Sequence, residues 1–252
     1  MKNYALRSTV FNLCFYIFNA FACIFFAPAL SFADRDKIMK LIHWYLRRVE
    51  WLERNIMGIT CEIRGKDNLP SSGSYIVAAK HQSPYETLKL HFLFEDPAIV
   101  LKKELLAIPL WGKFLSKIDP IAIDRSAGKE AMTQIIEGAK RIQAQGRVIV
   151  IFPQGTRVYP EQTPKEKPYK MGAARIQEAT GLPVVPMALN SGFFWPRSGW
   201  LKRPGKIVFE FLPPIKSGKK PAEVTKELEQ SLESASENLI REAESRKLPD
   251  DT

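Results

Sequence analysis

Cysteine and histidine are scarce: the 252-residue chain has three of each. Cys14 and Cys23 lie in an apolar N-terminal run, Cys61 sits alone in a predicted strand, and His43, His81 and His91 are scattered. None has the spacing of metal ligands, so neither a metal site nor a disulfide is expected. A Gly-x-Ser-x-Gly nucleophile elbow and a Walker phosphate loop are both missing, which argues against a serine hydrolase and against phosphoryl transfer; Ser217-Gly218-Lys219 reads as a turn. There is no internal repeat, and the one biased tract is the Pro/Lys-rich loop 158–168. Acidic residues are outnumbered, 27 against 37 lysines and arginines, leaving a net charge of +10. That balance suits nucleic acid, an anionic membrane surface or a phosphorylated substrate.

Charge is absent altogether from Thr9 to Ala33, where Phe, Ile, Leu, Val and Ala dominate. The run is long enough to cross a bilayer core as a helix, although Asn12, Asn19 and Pro28 dilute it and leave a re-entrant helix open. A cleaved secretory signal is the rival, since Lys2 and Arg7 precede the run and Ser31-Phe32-Ala33 resembles a cleavage site. Because the run exceeds the usual signal core, a retained anchor is the reading adopted. From Asp36 to Gly58 the pattern becomes amphipathic. Ile38, Leu41, Ile42, Tyr45, Val49, Leu52 and Ile56 form one stripe, while Lys37, Lys40, Arg47, Arg48 and Arg54 crowd the rest beside Trp44 and Trp51. Such a helix suits a membrane interface or the surface of a globular domain, and the two are compatible.

After Ile59, short runs rich in Val and Ile alternate with amphipathic segments. Strands are expected at 59–64, 75–79, 98–101, 120–123, 148–152, 184–189 and 207–211, and helices at 84–94, 129–145 and 172–180. Gly146 and Gly181 stand where helices stop. The alternation predicts an α/β fold: a mostly parallel sheet flanked by helices, preceded by a membrane-associated helical segment. Three divisions follow: an anchor with its interfacial helix at 1–58, the α/β domain at 59–215, and a polar, Glu-rich helical tail at 216–252, read as a solvated or capping helix.

Sites in open α/β sheets form at the carboxyl ends of strands. Just past three expected strands lie Lys80-His81-Gln82, Asp124-Arg125 and Pro153-Gln154-Gly155-Thr156-Arg157. In His81-Gln82-Ser83-Pro84-Tyr85-Glu86, Ser83 and Glu86 make a capping box with Pro84 at the first helical position. His81 then precedes a helix N-terminus, whose dipole disfavours the imidazolium and keeps a base neutral. Glu86 could hold the ring and stabilise the charge formed during proton transfer, or it could serve only as a cap.

HQSPYE at 81–86 followed by FPQGTR at 152–157 resembles the glycerolipid acyltransferase family, in particular bacterial 1-acyl-glycerol-3-phosphate acyltransferases. Two further blocks match: Lys102-Lys103-Glu104-Leu105 with Ile108-Pro109 and Gly112 leading into Ile123-Asp124-Arg125, and Val185 to Asn190. Lys170 and Gly172 fit the segment between, so the resemblance spans roughly residues 60–215. It departs twice, with Glu86 where the family has Asp and Gln154 where it has Glu. The resemblance implies direct acyl transfer, with His81 as general base and Glu86 as its partner. Arg125 and Arg157 would clamp the acceptor's phosphate, with Lys103 a weaker candidate and Gln154, Gly155 and Thr156 completing the substrate-binding block. It implies acyl-CoA or acyl carrier protein as co-substrate, no cofactor, a lysophospholipid acceptor in membrane lipid, no nucleic acid, and a cytoplasmic-membrane enzyme whose active site faces the cytoplasm. The foremost acceptor is lysophosphatidate; another lysolipid, glycerol 3-phosphate, or a non-catalytic basic membrane-surface protein are the alternatives.

Overall fold

Gly58 takes a left-handed conformation (φ 68°) that stops the N-terminal helices and turns the chain into the sheet. The computed structural model describes residues 2–245. Before Gly58 come α1 (Lys2–Phe25), the single turn α2 (Ala29–Phe32) and α3 (Arg35–Leu52), which ends in a π-helical turn at Glu53–Met57. After it come β1 (Ile59–Arg64), β2 (Ile76–Ala79), α4 (Pro84–Leu93), β3 (Ala98–Lys102), α5 (Trp111–Lys117), β4 (Ile121–Ile123), α6 (Lys129–Ala144) and β5 (Ile149–Ile151). The chain continues through α7 (Gly172–Thr180), β6 (Val184–Leu189), α8 (Ser191–Phe194), β7 (Gly205–Phe211) and α9 (Pro221–Ser245). All seven expected strands form, within a residue or two of their expected limits.

The sheet order is β1-β7-β6-β2-β5-β3-β4. Five strands, from β6 to β4, run parallel; β7 pairs antiparallel with β6 and parallel with β1, so the last two run the other way. Strands β2 and β6 are buried along their whole length, as their unbroken apolar runs require between two helical layers. One face packs on α6, α7 and α9, with Ile142, Ile176 and Leu232 fully buried. The other packs on α4, on Phe11 of α1, and on Phe194 and Trp195.

The expected C-terminal helix is a layer of the domain rather than a tail apart from it. Val224, Leu228, Leu232 and Leu239 fall on one helical stripe and are buried in the sheet's core. At the sheet edge Arg64 grips Glu242 with two hydrogen bonds, of 2.7 and 2.8 Å. The reading as a solvated or capping helix missed this stripe among eight glutamates and glutamines. Residues 246–252 of the expected tail lie outside the described residues.

Helix α1 also belongs to the domain. Arg7 donates to the Ile56 carbonyl at 2.7 Å, Ser8 and Asn12 are buried against residues 200–202, and Tyr45 of α3 donates to Asn19 at 2.6 Å. The polar residues that interrupt the apolar run thus face the protein. The opposite side carries Leu6, Leu13, Ile17 and Ile24, each 52–68% exposed. Tyr4–Phe25 is, among the described residues, the one stretch long and apolar enough to cross a membrane. Helix α3 packs on the domain through Ile38, Tyr45 and Val49, which are buried, whereas Trp44, Trp51, Arg47 and Arg48 are exposed.

Candidate active site

The carboxyl ends of the five parallel strands meet at one sheet edge, and the chain leaving β2 there turns at once into α4. Ser83 caps the helix by accepting the Tyr85 N–H at 3.1 Å, and Glu86 accepts the Ser83 N–H at 2.7 Å, completing the capping box. The same Glu86 oxygen accepts the Gln82 N–H at 2.6 Å and lies 2.8 Å from His81 Nδ1. Its second oxygen accepts the Ser191 hydroxyl at 2.7 Å, and the whole side chain is buried. Cap and partner are therefore one carboxylate, and the two roles do not compete.

A carboxylate at Nδ1 puts the ring proton there and leaves Nε2 as the basic nitrogen. Phe152, the first residue beyond β5, stacks on the imidazole at 4.0 Å between centroids and 21° between planes, restricting its rotation. The rings of the other two histidines approach each other at 6.2 Å, and burial pushes the His91 pKa down to about 4.

His81 opens onto a cavity of about 470 Å³. His81, Arg125, Gly155, Thr156 and Arg157 line its polar part together with Lys102, and most of the remaining wall is apolar, with residues such as Leu101, Leu115, Tyr45, Ile42 and Phe26. The N-terminal helices thus supply part of the cavity wall. Arg125 donates a hydrogen bond to the Gly155 carbonyl, and burial lowers its pKa from the ordinary arginine value. Gly155 has φ 70°, and a Cβ there would lie 3.4 Å from both Arg125 Nη1 and Lys170 Nζ. Glycine leaves the backbone open where two cations converge. Arg157 donates to the Arg197 carbonyl at 3.0 Å while Arg197 donates back at 2.8 Å, so this pair clasps two loops beside the cavity.

Two of the expected substrate-binding residues are not cavity walls. Gln154 is buried and donates to the Lys167 carbonyl at 3.0 Å, bracing the loop after the FPQGTR block. Lys103 begins an exposed turn, and its neighbour Lys102 lines the cavity instead. Conversely, Ser191, Phe152 and Lys170 belong to the site without having been chosen from sequence. Ser191 is the second residue beyond β6, a parallel strand whose end, Asn190-Ser191-Gly192, carries no histidine or charged residue to mark it.

The family model described as Acyltransferase matches residues 60–190, just over half of the chain. This chain belongs to the acyltransferase family. A 1-acyl-sn-glycerol-3-phosphate acyltransferase of Pseudomonas aeruginosa is 39% identical over 183 residues, covering 73% of this chain and 69% of the relative. The enzyme of that name from Saccharomyces cerevisiae is 28% identical over 179 residues, 69% of this chain and 58% of the relative. The crystal structure of the 1-acyl-sn-glycerophosphate (LPA) acyltransferase from Thermotoga maritima superposes with a TM-score of 0.74, covering 93% of this chain and 97% of that one. At 22% identity that likeness speaks for the fold. The family's sequence match covers β1 to β6 and the whole polar part of the cavity.

Proposed function

We propose that this acyltransferase moves a fatty acyl group from acyl-CoA or acyl carrier protein to the sn-2 hydroxyl of lysophosphatidate, giving phosphatidate for phospholipid synthesis. One observation carries the reading: a single cavity joins a carboxylate-held histidine and cationic side chains to a largely apolar wall. An amphiphile with a phosphate head and a hydrocarbon tail matches both. His81 Nε2 takes the proton of the acceptor hydroxyl as its oxygen bonds to the thioester carbonyl carbon. The C–S bond then breaks, and the imidazolium returns the proton to the departing thiolate. General-base help of this kind is worth on the order of 10²–10⁴ in rate, and the buried Glu86 carboxylate stabilises the transient imidazolium.

Arg125 and Arg157 line the cavity, Lys170 stands beside Gly155, and guanidinium forks suit the oxygens of the acceptor's phosphate. The relatives' names support lysophosphatidate as acceptor. For the membrane, the support is α1's exposed apolar side, together with an apolar cavity wall built partly from α1 and α3. Cleavage after Ala33 would take Phe11 off Trp195 and remove Ala22, Cys23 and Phe26 from the cavity wall, which favours retention. We place the enzyme on the cytoplasmic membrane, its catalytic edge toward the cytoplasm where acyl thioesters are made.

The test is an acceptor panel. Purified protein in vesicles is given labelled acyl-CoA or acyl carrier protein with lysophosphatidate, a lyso-aminolipid or glycerol 3-phosphate. Labelled phosphatidate from lysophosphatidate, well above the other products, is the expected result. Transfer to the lyso-aminolipid with lysophosphatidate inert would reassign the acceptor.

A further inference from the structure

Lys80 stands next to His81 in sequence but on the other side of the sheet. Side chains alternate along β2, Ala78 packing in the core with α9 and Ala79 in the core with α4. Continuing that alternation, Lys80 projects toward α9 and His81 toward the cavity. Lys80 is only 2% exposed and forms an ion pair with Glu233 of α9. The hydroxyl of Tyr169 donates to the same Glu233 oxygen at 2.6 Å, and lies 3.4 Å from Lys80 Nζ. Tyr169 in turn precedes Lys170, whose ammonium lies beside Gly155 and Arg125. One carboxylate oxygen on a helix beyond the family's matched region therefore holds the residue before the base and the residue before a phosphate-site cation.

Stability alone does not call for this arrangement. A buried ion pair is often no better than well-packed apolar residues of similar size, because both charges lose their hydration. Its distinct property is direction: a charged tip fixes where the chain on either side must sit. We propose that Glu233 is a positioning residue for acyl transfer, fixing the His81 turn through Lys80 and the Lys170–Gly155 edge through Tyr169. The proposal rests on the acyl-transfer reading above. Displacing a catalytic group by about 1 Å can cost roughly 10² in rate, and this sets the scale.

The experiment compares Glu233→Gln, Glu233→Asp and the double change Lys80→Met/Glu233→Met, each at measured folded fraction. Glu233→Gln should lower kcat ten- to a hundredfold and raise the acceptor KM, with the acyl-donor KM unchanged; Glu233→Asp should recover part of both. Loss of folded protein would instead lower Vmax and leave both KM values alone. The double change removes the unpaired charge, so it should restore the thermal midpoint without restoring kcat. A double variant with wild-type kcat and acceptor KM, or Glu233→Gln indistinguishable from wild type, would overturn the proposal. His81→Ala is run in parallel: if it is active too, the fault lies with the acyl-transfer reading and not with Glu233.

Discussion

Helices α1 and α9, of 24 and 25 residues, flank the family's matched region and dock on the same domain in opposite ways. Helix α9 turns Val224, Leu228, Leu232 and Leu239 inward and leaves Glu223, Glu237 and Glu244 exposed. Helix α1 turns Arg7, Ser8, Asn12 and Asn19 toward the protein and leaves Leu6, Leu13, Ile17 and Ile24 outside. For α9 the hydrophobic effect supplies the contact, about 1.5–3 kcal/mol for each large side chain buried. For α1, packing and hydrogen bonds hold the helix, and its outward apolar side needs another environment. The inversion teaches that polarity alone does not tell which face of a helix meets the protein; the medium on the far side decides.

Membrane partition is the largest expected effect. Leu13→Lys with Ile17→Lys puts two ammonium groups on α1's outward face, and each Lys near a bilayer centre costs about 2.5–3.5 kcal/mol on insertion scales. The protein should leave the membrane fraction, its partition falling more than a hundredfold, while Glu237→Lys on α9 should change nothing. Sedimentation with vesicles decides; a double-lysine protein that pellets like wild type would mean that α1 faces something other than lipid.

The inward faces give the next contrast. Leu232→Ala removes the centre of α9's buried stripe and should cost about 2–5 kcal/mol in urea unfolding. Asn12→Ala deprives the buried Lys202 ammonium of its side-chain acceptor and should cost about 1–3 kcal/mol. The reverse ranking would show that α1 depends on its polar contacts more than α9 does on burial.

A smaller effect lies where α3 meets α4. Glu53, in the π-helical turn, is 2.6 Å from Lys89 of α4 and fully enclosed. Burial pushes its pKa up from 4.5 to about 7, against the pull of Lys89. The folded state therefore holds this proton more tightly than the unfolded chain, and stability falls as pH rises from about 4.5 through 7. The loss is at most about 3 kcal/mol. Urea midpoints at pH 5 and pH 8 should differ in that direction, and Glu53→Gln should flatten the difference.

How much of this was legible in the sequence follows from distance along the chain. The seven strands were, because buried parallel strands are unbroken apolar runs between turn residues. The His81–Glu86 pairing was, because a capping box is written in four consecutive residues and His81 lies two residues before it. Ser191 was not, since it reaches Glu86 across 105 residues, and neither was Lys80–Glu233, 153 residues apart. Such pairings depend on where strands and helices come to rest against one another, which local pattern does not specify. Gln154 shows the same limit within one motif: its neighbours Gly155 and Thr156 line the cavity, and Gln154 itself turns into the loop behind.

The central claim, that His81 held by Glu86 takes the acceptor's proton, is tested most directly by acyl transfer from labelled acyl-CoA to lysophosphatidate at equal folded protein. Glu86→Gln is the sharpest variant. Its amide oxygen can still accept from Gln82, Ser83 and His81, and its NH₂ can donate to the Ser191 hydroxyl, so capping survives while the charge is lost. The account predicts that His81→Ala loses about 10²–10⁴ in kcat. Glu86→Gln should fall steeply too, with its thermal midpoint nearly unmoved. Activity of His81→Ala within tenfold of wild type would contradict the account.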